Sequence, residues 1–106
     1  MNHGLPPQTL REIHRVLATE PEVESAILYG SRAKGTHRHG SDIDLVLTGA
    51  HLTSAMLGKI AFAFDESPLP YRFDVAILER ITNPALVGHI QRVGIPIYER
   101  ATVESR

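Results

Sequence analysis

The sequence predicts an α/β (α+β) domain with a mixed central sheet of about four strands and helices packed on it. Short apolar runs of strand length alternate along the chain with amphipathic stretches at helical spacing, and glycine or proline marks most junctions. There are no internal repeats and no low-complexity segments. At 106 residues, we expect a single domain over 1–106 with an ordered core over about 8–99.

The first half of the chain predicts a helix, two strands and a connecting loop. Two prolines open the stretch 6–18, whose large apolar residues recur on one helical face. Residues 25–29 and 42–48 are short apolar runs and predict two buried strands. Between them, residues 31–35 predict a turn of helix and residues 36–41 a loop.

The second half predicts helix, strand, helix and strand. Residues 51–66 have helical spacing, although Gly58 costs that helix about 1 kcal/mol relative to alanine. Residues 71–78 predict the third strand. Asn83-Pro84 starts the next helix as N-cap and first position, and Gly94 fits its C′ stop. A last strand over 95–98 is expected at a sheet edge, because proline lacks the donor N–H that an inner strand needs.

Composition excludes several classes of protein. The chain is 42% hydrophobic and 22% charged with a net charge of −1, so we expect no broad electrostatic contact with nucleic acid. The absence of cysteine excludes disulfides, thiolate zinc sites and a cysteine nucleophile. No signal-peptide pattern opens the chain, and no apolar segment approaches the roughly 18 residues that a membrane span needs. We therefore expect a cytoplasmic protein without membrane contact.

The stretch 30–44 carries the strongest functional signal. Asp42 and Asp44 enter a predicted buried strand, where alternate residues share a face and lie about 6.6 Å apart along the chain. Two such carboxylates can reach one Mg²⁺ or bridge two ions about 3.5–4 Å apart. A solvated strand end is the alternative, and the apolar run that follows Asp44 argues against it.

Asp74 is the candidate third metal ligand. It falls within the predicted third strand, where an unpaired acid would be costly to bury. Pairing with Arg72, on the same strand face, is the alternative. If the strands of Asp42 and Asp74 are neighbours, the three carboxylates converge.

The turn before these acids has features of a phosphate site. Gly30 allows close approach of the backbone to a ligand, and Ser31 adds a hydroxyl at the start of a helical turn. Arg32, Lys34 and Arg38 are candidates to neutralise a triphosphate or a leaving pyrophosphate, although for any single one of the three a solvated basic loop is the favoured explanation. His37 and His39 are better explained by a polar loop than by metal binding, since the carboxylates favour Mg²⁺ over zinc.

Gly30-Ser31, ten further residues and Asp42-Ile43-Asp44 together resemble the signature of the DNA polymerase beta-like nucleotidyltransferases. The fuller match, Gly-Ser-Arg-Ala-Lys-Gly followed by Ser-Asp-Ile-Asp-Leu, resembles the minimal nucleotidyltransferases, the antitoxins paired with HEPN-domain toxins in prokaryotes. The resemblance covers about residues 8–99.

The resemblance implies a nucleotidyltransferase fold and a two-metal reaction. Gly30, Ser31, Arg32 and Lys34 would bind the triphosphate of ATP. Asp42, Asp44 and Asp74 would hold two Mg²⁺ ions, and Asp74 could also accept the proton of the attacking hydroxyl. In the minimal group the acceptor would be a tyrosine of the HEPN toxin, which AMP transfer would silence.

Two other functions remain open at the level of sequence. The chain could neutralise a toxin by binding alone, or it could be a small-molecule nucleotidyltransferase that completes its acceptor site as a homo-oligomer or with a second subunit. About sixty residues follow the signature, and the predicted sheet and helices use all of them. The acceptor is therefore expected to arrive on another protein.

Overall fold

A computed structural model describes residues 4–35 and 42–100 as one four-stranded mixed sheet with helices on it. The helices are α1 (Pro7–Ala18), α2 (Gly30–Lys34), α3 (Ser54–Glu66) and α4 (Pro84–Val93), and the strands are β1 (Ser25–Tyr29), β2 (Ile43–Thr48), β3 (Phe73–Ile77) and β4 (Ile95–Glu99). A 3-10 turn, Leu78–Arg80, follows β3. The predicted fold class and order of elements are confirmed.

The strands lie in the order β3-β2-β1-β4. β1 pairs antiparallel with both β2 and β4, while β2 and β3 are parallel. The parallel pair is possible because α3 supplies the long crossover that two parallel strands require. β4 contains Pro96 and lies at an edge of the sheet, as predicted.

The main core lies between the sheet and the pair α1 and α3. Alternate strand residues, including Leu28, Ile43 and Leu45, point to this side and are fully buried. The rings of Phe64 on α3 and Phe73 on β3 stack with centroids 4.0 Å apart. Because these residues face the core, Asp44 and Asp74, each next to one of them in sequence, face the other side.

The second side of the sheet carries α2 and α4, and it is the side that holds the candidate site. Asn83 caps α4 by accepting a hydrogen bond from the Ala85 amide at 2.9 Å, as the Asn-Pro start predicts. α4 ends at Val93 and Gly94 caps it, as the sequence predicts, with a φ of −61°. Glycine is needed there for space, because a Cβ would lie 2.5 Å from the Ile90 carbonyl oxygen and 2.7 Å from Ile27 Cγ2.

Several boundaries differ from the sequence prediction by one to three residues. β2 begins at Ile43, so Asp42 precedes the strand rather than opening it, α3 begins at Ser54 rather than at 51, and β3 is shorter than the predicted 71–78. Among the described residues, no helix is long and apolar enough to cross a membrane.

Candidate active site

The chain turns from β1 directly into α2 at Gly30. Its φ is +77°, in the left-handed region that glycine tolerates and other residues rarely adopt. Gly35 ends α2 with a similar φ of +78°. These two glycines allow a five-residue helix to fit between the last residue of β1 and the loop that leads to β2.

Gly30 also packs directly against the first acidic residue of β2. Tyr29 is the register partner of Asp44, which places the following turn beside the aspartate side chain. A Cβ built on Gly30 would lie 2.4 Å from Asp44 Oδ2. Glycine is therefore required at this position for two reasons: the positive φ of the backbone, and the space that the Asp44 carboxylate occupies.

Asp44 and Asp74 are register partners in the parallel pair of β2 and β3. The two strands are therefore neighbours, which is the condition that the sequence left open. Asp44 is half-buried, while Asp42 and Asp74 are exposed. Asp74 is less buried than its position within an apolar strand suggested, because β3 lies at an edge of the sheet.

The three carboxylates interact electrostatically. Burial, followed by repulsion from Asp74 and from Asp42, raises the pKa of Asp44 above its ordinary value. Within the described residues no ion pair joins Asp74 to Arg72, which was the alternative role for that acid. The result is a concentration of negative charge at the start of β2 and β3.

Mg²⁺ fits this site in its donor chemistry. Carboxylate oxygens are its preferred protein ligands, and a divalent cation would relieve the repulsion that raises the Asp44 pKa. Within residues 4–35 and 42–100, however, no group of three His, Cys, Asp or Glu side chains is arranged closely enough to hold a metal ion. The assignment of Asp42, Asp44 and Asp74 as metal ligands therefore stays a prediction.

The predicted phosphate-binding residues differ in exposure. Ser31 is half-buried in the first turn of α2, and Lys34 is exposed at its end. Arg32 is only 3% exposed, and its guanidinium carbon lies 5.0 Å from the centroid of the Tyr71 ring. Lys34 can therefore contact a triphosphate directly, whereas the side chain of Arg32 is buried in the fold. Arg38, His37 and His39 lie outside the described residues.

Sequence reasoning missed His89. This α4 residue accepts a hydrogen bond from the Gly30 amide at Nε2, over 3.2 Å. Its ring also packs edge-on against Tyr29, with centroids 6.2 Å apart. The signal that could have revealed it is position: His89 lies three residues after Leu86 and four before Val93, at the spacing that places these three residues on one face of a helix.

Tyr29 belongs to the same cluster. Burial, and then the negative charges of Asp74 and Asp44, raise the pKa of its phenol above the ordinary value. The hydroxyl therefore stays protonated at neutral pH. It can donate a hydrogen bond beside the carboxylates but cannot add to their charge.

An apolar pocket of about 450 Å³ lies along a different stripe of α4. Val87, Ile90, Gln91 and Gly94 line it from the helix at spacings of three and four residues, and His89 falls outside that stripe. Ile27 and Pro96 line it from the sheet. The pocket is therefore separate from the carboxylate cluster.

A sequence model of the family described as "Polymerase beta, Nucleotidyltransferase" matches residues 11–102. The chain belongs to the polymerase beta nucleotidyltransferase family. The match includes the glycine–serine turn and all three aspartates, so the site described above lies within the part that defines the family. No curated protein sequence matches the chain.

Solved structures of similar fold include three that contain a toxin and an antitoxin. A crystal structure of a toxin–antitoxin with AMP-PNP aligns with a TM-score of 0.70 and 22% identity, covering 86% of this nucleotidyltransferase chain and 73% of that one. The toxin–antitoxin MntA-HepT aligns at 0.60 and 19% identity, over 90% and 74%. The tri-AMPylated HEPN toxin of Shewanella oneidensis in complex with its MNT antitoxin aligns at 0.57 and 20%, over 86% and 70%. At these identities the similarity establishes the fold.

Proposed function

We infer that this chain is an Mg²⁺-dependent nucleotidyltransferase that moves AMP from ATP to a hydroxyl group of a partner protein. The acceptor we assign is a tyrosine of a HEPN-domain toxin, so that the chain acts as an antitoxin. The observation that carries the proposal is the packing of the Gly30-Ser31 turn against Asp44, with Asp74 aligned on the next strand. Similarity in fold to a complex that contains an AMPylated HEPN toxin supports the choice of acceptor.

Each site residue has a role that its position allows. Asp42, Asp44 and Asp74 would hold the metal, which would polarise the α-phosphate of ATP and stabilise the leaving pyrophosphate. Gly30 leaves room for the Asp44 carboxylate, which faces the sheet side that nucleotide would occupy. Ser31 and the exposed Lys34 would bind phosphate oxygens. Because Asp74 is exposed at an edge strand, it is accessible to an incoming hydroxyl and could accept its proton.

The acceptor hydroxyl is best supplied by another protein. Every described strand and helix belongs to the sheet and its two covering layers, and none forms a second lobe facing the carboxylates. The catalytic contribution of the chain would then be positioning and charge stabilisation on the nucleotide side. The partner would bring the nucleophile.

Intact-mass spectrometry of the partner tests this proposal. A candidate HEPN-domain partner is incubated with the chain, ATP and Mg²⁺, and we expect mass increments of one or more adenylyl groups. The double variant Asp42→Asn with Asp44→Asn should give none, whereas Asp65→Asn, at an exposed α3 carboxylate, should behave as wild type. An unchanged partner mass under conditions where ATP binds would contradict the proposal.

Neutralisation of the toxin by binding alone is a second candidate. It is favoured by the absence, within the described residues, of a ready group of three metal-ligating side chains. The same double variant separates the two functions. If it still neutralises the toxin, and wild type transfers no AMP, the chain acts as a binding partner.

A further inference from the structure

We propose that His89 is a positioning residue that holds the Gly30-Ser31 turn in place against Asp44. This deepens the proposed function, because its kinetic consequence rests on nucleotide binding at that turn. His89 lies 59 residues from Gly30 in sequence and belongs to no part of the signature. The hydrogen bond between them is the direct link from α4 to the glycine turn.

The hydrogen bond fixes the state of the imidazole. The Gly30 amide can only donate, so His89 Nε2 must be the acceptor and must carry no proton. The neutral ring therefore has its proton on Nδ1. This assignment follows from the backbone donor, which has a single possible role.

The histidine is held by elements that do not depend on the turn. α4 is capped by Asn83 and anchored by Ile90, which is buried next to His89 in sequence. The Tyr29 ring lies against the imidazole at an interplanar angle of 78°. His89 therefore provides a fixed acceptor on a packed helix, to which the adjacent glycine turn is tied.

The turn needs such a restraint. With φ at +77°, Gly30 has conformational freedom that other residues lack, and a Cβ built on it would lie 2.4 Å from Asp44 Oδ2. A hydrogen bond to the Gly30 amide restricts rotation of that peptide. It thereby fixes where Ser31 begins α2 and where its hydroxyl lies relative to Asp44.

The same bond refines the role of Gly30 in nucleotide binding. Since the Gly30 N–H is already donated to His89, this amide is not a free phosphate donor in the described conformation. Gly30 contributes its lack of a side chain, and the phosphate contacts fall to Ser31 and the residues after it. His89 thus acts on the substrate through the turn.

Three variants test the role of the ring nitrogen. His89→Phe keeps an aromatic ring beside Tyr29 but removes the acceptor, while His89→Gln places an amide oxygen near the Nε2 position. His14→Phe is the matched control, because His14 is also hydrogen-bonded to the backbone, with Nε2 donating to the Ile97 carbonyl oxygen at 2.6 Å, and packs edge-on against Tyr98 at 5.5 Å, away from the carboxylates. If His89 had a purely structural role, His89→Phe and His14→Phe would have the same effect on the Gly30 amide.

The decisive readout is the Gly30 amide, followed by NMR in the protein without nucleotide. We expect His89→Phe to shift this resonance and to speed its hydrogen exchange about tenfold. A factor of about ten corresponds to the net free energy of one hydrogen bond. His89→Gln should restore most of the protection, and His14→Phe should leave it unchanged. A Gly30 amide that is unaltered in His89→Phe overturns the proposal.

Kinetics then separate this inference from the proposed function. In the AMP-transfer assay His89→Phe should lower kcat/KM for ATP about tenfold with rescue by glutamine. Failure of glutamine to restore the rate, where phenylalanine has lowered it, would overturn the role of the acceptor. If neither the wild type nor any variant transfers AMP, while the Gly30 amide still responds to His89→Phe, the proposed function fails and the positioning role stands.

Discussion

Gly30 and Asp44 are in such close contact that a methyl group on the glycine would lie 2.4 Å from the aspartate Oδ2. Gly35, at the other end of α2, has almost the same φ, +78° against +77°, but beyond its neighbours in the chain no atom of residues 4–35 and 42–100 lies within 4 Å of the Cβ position. The two glycines thus have the same left-handed backbone conformation and differ in the space around them.

Alanine at these two positions should separate the cost of the backbone angle from the cost of the clash. We expect Gly35→Ala to lower the free energy of unfolding by about 1–2 kcal/mol, the cost of a left-handed alanine. Gly30→Ala should cost more and should also weaken ATP binding, because Asp44 must move. Denaturant unfolding and ATP titration measure the two effects. Equal losses for both variants, with ATP affinity intact, would show that the contact with Asp44 does not matter.

The raised pKa of Asp44 makes a prediction about stability and pH. Because the folded state favours the protonated form, the carboxyl's contribution to stability is present below the ordinary aspartate pKa and is lost as pH rises through the raised value. Asp44→Asn should therefore be more stable than wild type at pH 7, by no more than about 1 kcal/mol since solvent screens the half-exposed group. Near pH 3 the difference should vanish.

Thermal unfolding across this pH range, with and without Mg²⁺, checks that prediction. A metal that binds only the folded state stabilises it by about 1.4 kcal/mol at ten times its dissociation constant. Added Mg²⁺ should thus close the gap by raising wild type and not Asp44→Asn. A variant that is less stable than wild type at pH 7 without metal would contradict the electrostatic account.

Arg32 and Lys34 should divide into a packing role and a ligand-binding role. Arg32→Ala removes a buried side chain that covers Tyr71, and we expect a loss of roughly 1–3 kcal/mol in the free energy of unfolding. Lys34→Ala, at an exposed position, should stay within about 0.5 kcal/mol of wild type yet bind ATP more weakly. Unfolding curves and ATP titrations on both variants decide. The reverse pattern would restore Arg32 as the direct phosphate contact.

The caps of α3 and α4 offer a matched comparison between stability and site geometry. Thr53 accepts from the Met56 amide at 3.2 Å, and Asn83 accepts from the Ala85 amide at 2.9 Å. Removing either cap with alanine should cost about 1 kcal/mol. Only α4 carries His89, so Asn83→Ala alone should also perturb the Gly30 amide resonance. A shift of that resonance in Thr53→Ala of the same size would argue against this specific link.

Much of the fold follows from local sequence. The apolar runs, the Asn-Pro helix start and the proline of the last strand each dictate one element through backbone geometry, and the structure contains all of them. The carboxylate pairing was conditional at the level of sequence, since which strands are neighbours depends on how α3 crosses the sheet. In the structure β2 and β3 are neighbours, and Asp44 is the register partner of Asp74.

The features that local sequence did not predict depend on tertiary packing. A basic residue after Gly-Ser suggests a solvated phosphate contact, but Arg32 is buried with its guanidinium over the Tyr71 ring. Gly94 fits the end of a helix in the sequence, but the reason for glycine there is the close approach of Ile27 and of the Ile90 carbonyl. His89 carries no motif, and its contact with Gly30 exists only once α4 has packed on β1.

The stacked rings of Phe64 and Phe73 have a consequence for how the site can vary among related sequences. Phe73 precedes Asp74 on β3 and points to the opposite face, so one backbone segment carries both the core contact and the carboxylate. A change of side-chain volume at Phe64 would displace β3 and, with it, Asp74. Substitutions in the hydrophobic interior therefore offer a route to tune the spacing of the acidic pair, without altering any residue that touches a ligand.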